Sequence, residues 1–233
     1  MLELKNVSKS YHRARVVDNV SFTVESGQTL GIVGSNGAGK TTLTSMIATL
    51  IKPDSGEILL EGEDLVRNPQ KVRSMIGYVP QDIALYETLS GRDNLKFWGK
   101  INKVPKESFK ERMESVCRII RFDEKMLKKR VADCSGGMKR RLNIGVALLH
   151  NPKIVIMDEP TTGIDMQSAS QILEAIEDLR RSGIAVIFVG HYMEEIEKIS
   201  THLCVMSEGR VKYFGEKEKV LTENGGSLAA LLS

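Results

Sequence analysis

The segment Gly34-Ser35-Asn36-Gly37-Ala38-Gly39-Lys40-Thr41, followed by Thr42, is the part of the chain best equipped for chemistry. Its glycines let consecutive backbone amides turn towards phosphate oxygens, and a helix starting at Lys40 would add its positive end. Lys40 would then reach the β- and γ-phosphates of a nucleotide, and the Thr41 hydroxyl would bind magnesium. The chain's own composition predicts only about 0.02 chance matches to Gly-x4-Gly-Lys-Ser/Thr, so an incidental glycine-rich turn is the poorer reading.

Lys153-Ile154-Val155-Ile156-Met157-Asp158-Glu159 is an apolar strand ending in two carboxylates, which sets acids at the sheet edge where α/β proteins bind ligands. Asp158 is expected to bind Mg2+ directly or from a second shell. Glu159 either orients and deprotonates an attacking water or only caps the turn before Pro160; with the upstream loop present, catalysis is the stronger reading. Ser135-Gly136-Gly137 offers a hydroxyl and free amides at the start of a helix. It is either an ordinary cap or a second anion site, serving the nucleotide of another subunit. His191, after the strand ending at Val189-Gly190, is either structural or a hydrogen-bond donor to a γ-phosphate.

These residues need a sheet to hold them. Leu2–Val7 and Val20–Glu25 alternate apolar and polar residues, the pattern of half-buried strands in an N-terminal antiparallel β layer. Thr29–Val33 reads as the strand before the loop, and Lys40–Leu50 as the helix after it. Lys153–Met157 and Ile184–Val189 are short and almost wholly apolar, as buried parallel strands are, with a helix Met166–Arg181 between them. Charged, helically periodic sequence fills 88–149. The expectation is one α/β domain over 1–233 with a mainly parallel sheet, in which 1–87 and 150–233 form the core and β layer and 88–149 a helical subdomain. His202–Ser207 and Val211–Phe214 read as a closing hairpin.

At 233 residues the chain has room for one nucleotide site. A net charge of +3, from 33 basic and 30 acidic residues, is too small for a dedicated nucleic-acid binder. The three cysteines, Cys117, Cys134 and Cys204, form no Cys-x-x-Cys pair and suit a reducing compartment. No secretory signal and no apolar run of membrane-spanning length is apparent, so the chain is expected to be soluble.

In this order the motifs resemble the nucleotide-binding subunit of an ATP-binding cassette (ABC) transporter, from Leu2 to about Leu221. The resemblance implies a P-loop ATPase fold that binds ATP and Mg2+. Tyr11 takes the place of the aromatic residue that stacks on adenine. Gln81, in Val79-Pro80-Gln81-Asp82, matches the loop glutamine that senses magnesium and the membrane partner. Cys134-Ser135-Gly136-Gly137 matches the family signature, Gly163-Ile164-Asp165 its aspartate loop, and His191 its switch histidine. Three positions depart from the usual pattern: Cys134 and Ile164 stand for leucine, and Gly190 for serine or threonine.

The family pattern implies two cassettes that sandwich two ATP molecules, the second expected to be a copy of this chain. It also implies an integral membrane permease as partner, location on the cytoplasmic side of the membrane, and no nucleic acid. Met138-Lys139-Arg140-Arg141-Leu142 and His191-Tyr192-Met193-Glu194-Glu195 resemble the branch that exports drugs, antibiotics or lipid-linked polymers. Leu85, Tyr86 and Leu95 either line the groove for a permease helix or pack the helical core. The competing function is a cytosolic assembly scaffold or an ATPase acting on nucleic acid. Only 53 positions separate Gln81 from Cys134, too few for the long inserts of repair ATPases.

Overall fold

Period-two alternation produces strands Leu2–Tyr11 (β1) and Ala14–Val24 (β2), which pair antiparallel with Leu2 opposite Val24. The computed structural model describes residues 1–12 and 14–232. Asn6, at a positive φ of 51°, sits in a register shift between Leu4 and Val7, which brings Val7 back into the core. Thr29–Gly34 (β3) leads into helix Lys40–Ile47 (α1). That helix stops short of Leu50 because Thr49 turns to a φ of 59°. Ser55–Leu60 (β4) and Glu63–Asp64 (β5) complete a first sheet, in the order β2-β1-β4-β5.

A short helix, Pro69–Arg73 (α2), precedes strand Ile76–Val79 (β6). The chain is then helical up to the next strand: Gly91–Ile101 (α3), Lys106–Ile119 (α4), Glu124–Lys128 (α5) and Gly136–Leu148 (α6). Side chains cap three of these starts, where backbone N–H groups lack helical acceptors: Ser90, Asp123 and Ser135 accept from Asp93, Met126 and Met138. Ile154–Asp158 (β7), Met166–Arg181 (α7), Ala185–Val189 (β8), Met193–Ile199 (α8), His202–Ser207 (β9), Arg210–Glu216 (β10), Lys217–Glu223 (α9) and Leu228–Leu232 (α10) follow. Glu208 and Gly209, both at positive φ, make the two-residue turn between β9 and β10.

The second sheet runs β10-β9-β3-β8-β7-β6, with parallel pairing throughout except at the β10 edge. Every residue of β7 and β8 is buried, because both faces are covered. Val155, Met157, Val186 and Phe188 join Ile120, Leu142 and Ile176 on the helical side. Ile154, Ile156, Ala185 and Ile187 join Leu4, Val20 and Leu43 beneath the antiparallel layer. Burying each such large side chain contributes roughly 1.5–3 kcal/mol, which makes the sheet a rigid platform for its carboxyl edge. Among the described residues, no helix is long and apolar enough to cross a membrane.

Candidate functional site

Parallel pairing lines up the carboxyl ends of β3, β8 and β7, and the loops that leave them carry the site. Two glycines of the phosphate loop are demanded by close approach. A Cβ on Gly34 would stand 2.3 Å from the Met206 carbonyl oxygen, and one on Gly39 2.4 Å from that of Val16. Gly39 also adopts a φ of 95° as it enters α1, and no side chain caps this helix. The amides of its first turn therefore stay available for an anion. Asn36 to Thr42, with Val16, Glu159, Val189 and His191, line an open cleft of 200 Å³. Val16 reaches it from β2 in the other sheet, which no local pattern reveals.

Lys40 is buried and its Nζ donates to the carbonyl oxygens of Gly34, at 2.7 Å, and Ser35, at 3.0 Å. Burial holds the ammonium below the usual lysine range, against the pull of Glu159 and Asp158. Asp158 ends β7 and is also buried. Burial, then the Glu159 charge, pushes its carboxyl above the usual range, while Lys40 and His191 pull the other way. Among the described residues, no side-chain hydrogen bond satisfies the Asp158 carboxylate or the Thr41 hydroxyl. With the amide oxygen of Gln81 these are hard oxygen donors, the kind magnesium takes.

Glu159 is the meeting point of three loops. Its Oε1 lies 2.5 Å from His191 Nε2, and its Oε2 accepts from Gln81 Nε2 at 3.0 Å and from Thr162 Oγ1 at 3.4 Å. Its amide donates to the Val189 carbonyl at 2.8 Å, which joins the ends of β7 and β8. The Gln81 loop is in turn held by α6: Arg140 donates to the Pro80 carbonyl at 2.9 Å, and Asn143 accepts from the Ala84 amide at 3.2 Å. The helix that begins at Ser135 is thus tied to the loop that touches Glu159. Gly190 also has a reason here, since a Cβ would stand 2.6 Å from the buried Phe188 ring.

The other expected residues lie elsewhere. Ser135, Gly136 and Gly137 open α6 and do not line the phosphate-loop cleft. Gly137 packs on α7, where its Cβ would collide with Ser168. Asp165 caps α7: its Oδ1 accepts the Ser168 amide at 2.8 Å and its Oδ2 the Ser168 hydroxyl at 2.7 Å. Those bonds hold its carboxyl below the usual range. Tyr11 is exposed at the end of β1, with Lys9 Nζ 5.9 Å from its ring centroid, and is outside the cleft. The Cys134 thiol donates to the Arg130 carbonyl at 3.4 Å, and burial raises its pKa, the behaviour of a packed rather than a reactive thiol. Leu95 is fully buried and so packs the core, whereas Tyr86 is 47% exposed in an aromatic cluster with Phe97 and Trp98.

A family model described as ABC transporter matches residues 17–162. The linearmycin resistance ATP-binding protein LnrL of Bacillus subtilis is 41% identical over 226 residues, covering 97% of this chain and 72% of that protein. The Nod factor export ATP-binding protein I of Cupriavidus metallidurans is 36% identical, covering 97% and 74%. A solved structure of the ATP binding subunit of an ABC transporter superposes with a TM-score of 0.88 at 29% identity, covering 99% of this chain and 97% of that one.

The balance of charges at Asp158 yields a stability prediction. Asp158→Asn removes a buried charge held against its preference and leaves Lys40 its stronger partner, Glu159. Without nucleotide or divalent ions at neutral pH, the variant is expected to gain about 0.5–2 kcal/mol. Chemical denaturation checks this, and a lower midpoint would contradict it.

Proposed function

The chain belongs to the ABC transporter family, as one of its ATP-binding, ATP-hydrolysing subunits, and we propose that it drives export through a separate integral membrane permease. Relatives named for antibiotic resistance and for Nod factor export support the outward direction. Bound to the permease, the chain lies on the cytoplasmic side of the membrane. The convergence of Gln81 and His191 on Glu159 beside the phosphate loop is the observation that carries the catalytic reading.

In this reading the first-turn amides of α1 and the Lys40 ammonium bind the β- and γ-phosphates, Lys40 exchanging the Gly34 and Ser35 carbonyls for phosphate oxygens. The Thr41 hydroxyl, Gln81 and Asp158 would hold Mg2+, whose chemistry when bound is to neutralise charge on those oxygens. Glu159 takes the proton of the attacking water, and His191 orients Glu159 and contacts the γ-phosphate. Tyr11, exposed at the end of β1, is the residue that stacks on the adenine. Ser135 to Gly137 complete the site of a second cassette, taken to be another copy of this chain, with Asp165 at the join. ATP thereby holds two cassettes closed, and hydrolysis releases them.

The permease side is read from the groove lined by Leu50, Tyr78, Pro80, Ala84, Trp98 and His150, beside exposed Tyr86. It borders the Gln81 loop, so a helix seated there would feel the state of Glu159. With the division taken at 87/88 and 149/150, the groove would join core residues such as Tyr78 and His150 to Trp98 of the helical subdomain.

Glu159→Gln is expected to bind ATP, hydrolyse it at least about 100-fold more slowly and accumulate as a dimer when ATP is added, measured by phosphate release and size exclusion. Unchanged turnover would remove the base assignment. Tyr86→Ala should retain nucleotide binding yet lose copurification with the permease; undiminished copurification would remove Tyr86 from the docking surface.

A further inference from the structure

Glu195 is used by nothing described so far, yet its carboxylate makes one specific contact. Its Oε2 accepts from the Thr161 hydroxyl at 2.5 Å, and Thr161 is 97% buried (3% exposed). The two residues belong to the two segments that carry the reactive groups. Thr161 lies two residues after Glu159, and Glu195 four after His191, in the first turn of α8.

These segments face each other across an open cleft of 560 Å³ lined by Thr161, Ile164, Met166, His191, Tyr192 and Glu195, among others. Helix α8 has no side-chain cap that would fix its start, and its N-cap residue, Tyr192, is exposed. The turn after β7 is itself under constraint. Glu159 takes a φ of 51° although it is not glycine, a conformation that persists only when surrounding contacts enforce it. Pro160, next in the chain, has no amide to donate. The turn is held from one side by the Glu159 amide on the Val189 carbonyl, and from the other by Thr161 on Glu195.

An acidic residue in a first helical turn has a plainer explanation, complementing the helix dipole. Glu194 already fills that role from an exposed position, and Glu197 of the same helix accepts the Leu228 amide at 3.0 Å. Glu195 instead turns inward, onto the turn that presents Glu159.

From this we infer that the Thr161–Glu195 bond is a positioning device for hydrolysis. It locks the loop of His191 to the turn of Glu159, so that the imidazole and carboxylate meet at the reactive distance. The inference rests on the reading of Glu159 as the base. Neither Thr161 nor Glu195 touches nucleotide in this account, so their loss acts on turnover and not on binding.

The test compares steady-state ATP hydrolysis and ATP affinity for Glu195→Ala, Thr161→Val, the double variant and Thr161→Ser, with Glu159→Gln alongside. Each single variant is expected to lose about tenfold in kcat with KM and ATP affinity within about twofold, and the double to be no worse than either single. Thr161→Ser, which keeps the hydroxyl, should recover most of the loss. ATP binding at normal affinity verifies that each variant is folded. Normal kcat in Glu195→Ala beside an inactive Glu159→Gln would overturn the positioning role alone. Multiplying losses in the double variant would also overturn it. Normal turnover by Glu159→Gln would instead overturn the base reading beneath it.

Discussion

Parallel backbone pairing of β3, β8 and β7 is the constraint on which the site depends. Parallel strands all present their carboxyl ends to one edge, so the phosphate loop, the Asp158-Glu159 pair and His191 leave the sheet as neighbours although more than 150 positions separate the first from the last. Pairing continues past the strands through the Glu159 amide, which extends the register into the turn where the carboxylate sits. Apolar burial on both faces of β7 and β8 pays for this arrangement, and the edge can then hold groups that water would otherwise prefer.

Asp158 and Lys40 show what such an edge does. Burial pushes each towards its neutral form, the acid up and the ammonium down, and each charge partly offsets the penalty on the other. A buried ammonium held only by neutral carbonyl oxygens and partial charge attraction is a group that an arriving anion would stabilise. Tightness elsewhere supports the same end: Gly34 and Gly39 let two backbones pass within contact distance of the loop, and Gly190 yields to Phe188 so that His191 can leave β8 directly.

Sequence alone revealed the parts of this chain whose chemistry is local. Gly34 to Thr41, the apolar strand before Asp158-Glu159, and helix starts at Ser135 and Met166 are each written in adjacent residues, and the structure forms them there. Element ends were less legible, as where Thr49 ends α1 before Leu50 through its backbone conformation alone. Short helices such as α2, α5 and α8 span too few turns to show a period. Long-range contacts were not legible. Val16 enters the cleft from another sheet, Arg140 and Asn143 reach across to the Gln81 loop, and Glu195 finds Thr161 from 34 positions away. Tyr11 is exposed beside Lys9 at the end of β1, a contact between alternate strand positions.

Within one chain the signature residues and the phosphate loop do not share a cleft, and the proposed function joins them by pairing two chains. Mixing two inactive variants tests this most directly. Lys40→Ala disables the loop. Gly136→Asp disables the signature at a position where a Cβ meets nothing nearer than Ile164 at 3.9 Å, so the fold should survive. Each alone should hydrolyse little ATP, whereas an equal mixture should regain about a quarter of normal turnover, because mixed dimers contain one intact composite site. A mixture as inactive as its components, or a Gly136→Asp chain with full activity, would contradict the shared site.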